Sequence, residues 1–222
     1  SSTFKLGGRT CSGRTHHRVN ANHLPQVSHS PSSVPLPARR CQNRGMSNDS
    51  ALLTAALSRC VRETEKHVAG GGWDAPVRVF ALVGTAAALA ADPSLASLLP
   101  DTGGDPHHLT AVEQEGLPEA DSLEELLAQL AWPDAVDGAA VVVERLVVPP
   151  AAESELPQDE AAAVAALAAH PEAEDVRIAV GVLRTGESWC ALRARSHDSG
   201  DQVAGGPDSV PGLVAALAAT LA

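Results

Sequence analysis

Val176-Arg-Ile-Ala-Val-Gly-Val-Leu-Arg184, then Thr185-Gly186, then Glu187-Ser-Trp-Cys-Ala-Leu-Arg-Ala-Arg195: this stretch decides the fold. Two apolar runs flank a Thr-Gly pair, which predicts a β-hairpin closed by a two-residue turn. A hairpin forces antiparallel pairing on the sheet it joins. Upstream, Ala139–Val148 contains VVVERLVV, the strongest strand pattern in the chain, and Pro149-Pro150 stops it. Val77–Val83 reads as a buried strand and Leu109–Glu115 as an edge strand.

Helical spacing fills the intervals. Leu53, Leu57, Cys60, Val61, Thr64 and Val68 recur every three or four residues. Asn48, Asp49 or Ser50 can cap that helix and Gly70-Gly71-Gly72 ends it. Thr85 is suited to cap a short helix ending near Asp92-Pro93, and Ser122-Leu-Glu-Glu125 is a capping box for a helix that Trp132-Pro133 closes. Asp159–His170 is Ala-rich, and Ser209 with Pro211 starts a last helix. Residues 197–207 read as a polar loop. Strands and helices do not alternate regularly. The expected fold is α+β, an antiparallel sheet of about four to five strands covered by helices.

Charge divides the chain sharply. Residues 1–45 carry seven basic side chains and no acid; residues 46–222 carry nine basic and all 27 acidic ones, a net charge of −18. So acidic a domain repels phosphate backbones, which argues against nucleic-acid binding. The first 45 residues lack apolar periodicity and are expected to stay disordered. Upstream DNA translated in frame, with the native start at Met46, explains them best; an Arg- and Ser-rich transit peptide or a basic arm are the alternatives. Cys60 and Cys190 sit in apolar patterns without CxxC spacing, and Val79–Ala91 is too short to span a bilayer. A cytoplasmic protein with no membrane association is expected.

Several strings in residues 46–222 resemble a known family: GWDAP (72–76), RVFALVGTA (78–86), AVEQE (111–115), AWPDAVDG (131–138), VERLVVPP (143–150), VGVLR (180–184) and SVPGLVAAL (209–217). It is an uncharacterised family of acidic actinobacterial proteins, and it brings no activity with it. The resemblance covers the domain end to end and implies a start near Met46. Gly84 departs from it, where a polar residue is expected.

Motifs for chemistry fail on inspection. Trp132-Pro133-Asp134 is similar to the acid loop of tyrosine phosphatases, but Cys190 is followed by Arg193, Arg195 and then Ser196 instead of an Arg six residues on. Gly181 and Gly186 have P-loop spacing, yet Glu187 stands where Lys must hold phosphate. His107-His108 beside Asp105 offers diverging side chains, not four converging ligands. No catalytic residue, metal site or cofactor is expected.

Two groups of candidates remain. Trp73-Asp74 and Trp132-Asp134 place rare aromatics beside Asp and Pro at helix ends, either as a partner-binding patch or as plugs of an Ala/Val/Leu core. Arg145, Arg177, Arg184 and Arg193 could bind an anion if three of them converged; otherwise cross-strand ion pairs on a solvent face suffice. The leading expectation is a non-catalytic protein-interaction or adaptor domain. A domain binding a small anionic molecule, and an enzyme with an unrecognised site, are the alternatives.

Overall fold

The computed structural model of the chain describes residues 43–99, 102–149, 152 and 157–222. Nearly all of the basic N-terminal stretch lies outside them. Six strands form one antiparallel sheet in the order β2-β1-β3-β4-β5-β6: β1 Arg78–Gly84, β2 Leu109–Glu113, β3 Gly138–Val147, β4 Glu174–Leu183, β5 Ser188–Ala194 and β6 Ala204–Gly206. Five α-helices are described: α1 Asn43–Ala69, α2 Thr85–Ala91, α3 Leu123–Ala128, α4 Glu160–Ala169 and α5 Pro211–Ala219.

The period-2 alternation of β3 and β4 sorts side chains between two cores. Ala139, Val141 and Val143 join Val176, Ile178, Val180 and Val182 under α3 and α5. Ala140, Val142, Ala179 and Leu183 meet Leu57, Cys60, Val61 and Val68 of α1 on the other face. Because β3 and β4 are buried on both sides, they read as continuous apolar runs. Gly181 marks where α1 presses closest: a Cβ there would lie 2.5 Å from Val61 Cγ2. Close packing, not phosphate binding, accounts for that glycine. Both described cysteines are buried thiols, and burial pushes Cys60 up to about 12.

Four expectations need correcting. The hairpin loop has three residues, because Leu183 N–H donates to Glu187 O at 2.9 Å and Gly186 N–H to Leu183 O at 3.0 Å. Gly186 occupies the positive-φ position at 102°, the geometry of a turn followed by a bulge. The sheet has a sixth strand inside the supposed polar loop; β6 has three residues, two of them glycine, too few for a pattern. Helix α1 already runs from Asn43, so Asn48, Asp49 and Ser50 lie within it, and Ser50 donates to Glu187 at 2.8 Å instead of capping. Thr85 does not cap α2 either. Its buried hydroxyl contacts His108 Nδ1 at 2.8 Å and Thr110 Oγ1 at 2.7 Å. Ser122 does cap α3, accepting from Glu125 N–H at 3.1 Å.

Candidate functional site

Arg177 and Arg193 point to the α1 face of the sheet, where strand alternation buries them. Cross-strand ion pairs on the solvent face were expected; these pairs lie beneath a helix. Arg193 binds Glu65 of α1 through Nε–Oε1 at 2.6 Å and Nη2–Oε2 at 2.7 Å. Arg177 reaches Glu144, its cross-strand neighbour, at 2.7 and 3.0 Å. Its Nη1 lies 3.8 Å from Glu65 and makes no hydrogen bond.

Trp73 closes this cluster. Its ring centroid lies 4.3 Å from the Arg177 guanidinium carbon and 5.3 Å from that of Arg195. Its indole N–H donates to Asp198 at 2.9 Å, the main reason the Asp198 carboxyl is held below its usual range. Asp74 takes a left-handed backbone at φ 67°, fixed by its N–H to Glu144 at 2.6 Å and by a bidentate pair with Arg195. The Arg195 pair also lowers the Asp74 pKa. Here three arginines converge, Arg195 joining two of the four candidates, but Glu65, Glu144, Asp74, Asp175 and Asp198 face them and outnumber their charges.

The other two arginines lie elsewhere. Arg145 is half-buried on the α3 face and donates to Glu144 O at 3.0 Å. Arg184, at the far end of β4, donates to Val136 O at 2.8 Å, Trp132 O at 3.1 Å and Pro133 O at 3.3 Å, and also to Leu221 O. It therefore staples the loop carrying Trp132 to the end of α5. The Trp132 indole donates to Thr220 Oγ1 at 2.9 Å while its ring packs at the edge of the α3–α5 core. Asp134 is exposed. Trp73 and Trp132 thus sit on opposite faces and at opposite ends of the β3–β4 pair, so they form no common patch.

Trp132 instead walls an apolar groove of about 390 Å³, whose floor is Ala81 and Val83 and whose other sides include Val112, Leu117 and Leu130. It exists because α3 and α5 cover β3 to β5 and the Val79 end of β1, and leave Val83 and β2 less covered on that face. The walls are preorganised: Arg184 fixes one, and Asp137 accepts from Gly84 N–H at 2.7 Å. Val112 is 46% exposed. A second groove of about 250 Å³ lies across the sheet, between α1 and β2, lined by Glu63, His67, His108, Thr110 and Glu113. Arg78 pairs with Glu113 and lowers its pKa. Among the described residues no three His, Cys, Asp or Glu side chains converge as a metal site requires.

The model of one protein family, PPA1309-like protein, matches residues 57–222, from within α1 to the last residue and through every strand. The chain belongs to the PPA1309-like protein family. No curated protein and no solved structure matches the chain. The family span takes in both Trp sites, the buried ion cluster and both grooves. Among the described residues, no helix is long and apolar enough to cross a membrane.

Sequence reading missed Val112, Leu117 and Leu130 as a site, because the groove is assembled from segments far apart in the chain. It also missed Glu65, although a signal was present: an acid within the helical stripe of Leu57, Val61 and Val68 must find a buried cation.

Proposed function

We propose that this member of the family is a non-catalytic protein-interaction domain that docks a partner in the groove beside Trp132. The observation that carries the reading is a preformed apolar trough at the β1–β2 edge of the sheet, walled by one of three Trp in the chain. The anion-binding alternative has less support, since Arg177 and Arg193 already meet Glu65 and Glu144. Two buried, unpaired cysteines fit a reducing compartment, so the proposal places the protein in the cytoplasm.

The test is retention of a partner by the immobilised full chain, parent against Val112→Glu. Val112 is an exposed edge-strand residue, so the variant should melt like the parent while losing the retained protein. Equal retention by both would contradict the groove as the docking site.

A further inference from the structure

Among the described residues the sheet ends at β2, and no strand pairs on its far side. Two bonds fix the phase of the β1–β2 ladder: Gln114 N–H donates to Val79 O at 2.9 Å, and Thr85 N–H to His108 O at 2.9 Å. Residues 108, 110, 112 and 114 therefore direct their backbone groups inward to β1, since antiparallel pairs alternate. Leu109, Ala111 and Glu113 direct their N–H and C=O groups outward along an open edge. The two grooves flank this same strand. Val112 and Gln114 line one, and Leu109, Thr110, Ala111 and Glu113 line the other. A strand laid about 4.8 Å beyond β2 would drop alternate side chains toward each.

We infer that the partner binds as an added antiparallel strand on β2, with apolar side chains toward the Trp132 groove and Lys or Arg toward the opposite face. This rests on the interaction reading above and specifies its partner. Backbone bonds to Leu109, Ala111 and Glu113 supply affinity, and the two grooves select side chains of alternate parity. Charge sets the sign. Glu115 rims the first groove and Glu63 the second, and neither has an ion pair among the described residues. A net charge of −18 over residues 46–222 attracts a basic segment and repels a second copy of this chain. Self-pairing about Ala111 would also set the buried, apolar Leu109 against the charged Glu113 on the α1 side.

The test is selection from a random library of displayed nine-residue peptides with the full chain as bait, followed by synthesis of the consensus peptide. The expected consensus alternates apolar with basic residues. Its binding should slow amide exchange at Leu109, Ala111 and Glu113 roughly tenfold or more. Ala111→Pro removes an outward N–H without touching the β1 ladder and should abolish binding. Should that variant fail to fold, the exchange measurement on the parent decides alone. A consensus without alternation, an acidic consensus, or no enrichment overturns the inference, as does a dimer of the chain formed through β2. Binding lost in Val112→Glu but kept in Ala111→Pro overturns strand addition alone and leaves groove docking standing.

Discussion

Glu65 of α1 grips the Arg193 guanidinium with both carboxylate oxygens, at 2.6 and 2.7 Å, with side-chain exposures of 1% and 6%. Removing one member of so buried a pair strands the other. Glu65→Leu is expected to cost roughly 3–5 kcal/mol in urea unfolding, with Arg177 Nη1 losing its nearest carboxylate as well. The double variant Glu65→Leu/Arg193→Leu should lose less than the sum of the two single losses. Strictly additive losses would show that the pair carries no coupling.

Trp132 separates packing from hydrogen bonding. Trp132→Phe deletes the indole donor and one of its two rings but keeps an aromatic in place, and Thr220 still donates to Leu217 O at 2.7 Å, so a loss of about 1 kcal/mol is expected. Trp132→Ala removes a half-buried ring and should cost about 2 kcal/mol, below the range for a fully buried aromatic. Thermal melts of both check the order. A larger loss for Phe than for Ala would contradict the placement.

Gly181 and Gly186 should fail for different reasons. Gly181→Ala drives a methyl against Val61 and Leu57 and is expected to cost about 1–3 kcal/mol by overpacking. Gly186→Val meets open space but must adopt φ near 102°, an expected cost of about 1–2 kcal/mol. Val61→Ala should relieve the first variant and leave the second unchanged, as read from paired denaturation curves.

Acid should loosen the Trp73 end. Asp74 is held below its usual range chiefly by Arg195, and Asp198 chiefly by the Trp73 indole. A carboxyl depressed in the folded state stabilises it above the unfolded value, about 3.9, and that stability is lost as pH falls through the folded value. The melting temperature should therefore decline below about pH 4, with a change in Trp73 emission in a single-Trp variant. Asp198→Asn should reduce the slope of that decline. A slope unchanged in that variant would contradict the role given to Asp198.

The hairpin, β3 and the Ser122 cap were legible because each depends on neighbours in sequence. Local chemistry failed where a tertiary partner competed: Thr85 met His108 and Thr110, and Ser50 met Glu187. Arg177 and Arg193 were misread because a charge in a strand ordinarily faces water; Glu65 reaching down from α1 to Arg193, and Glu144 across the strand from Arg177, make the buried face tolerable. The Trp132 groove had no sequence signature. It is the space left on β1 and β2 where α3 and α5 stop, and no single segment encodes it.

The most direct test of an interaction site at the β1–β2 groove is photo-crosslinking inside cells that naturally make the protein. A crosslinking residue would replace Glu115 at the groove rim, and a second variant would carry it at Asp201 beside the opposite edge of the sheet. The expected result is one discrete protein adduct from position 115, absent from position 201 and lost when Val112→Glu is added. No adduct from position 115, or the same adducts from both positions, would contradict a docking site at this face.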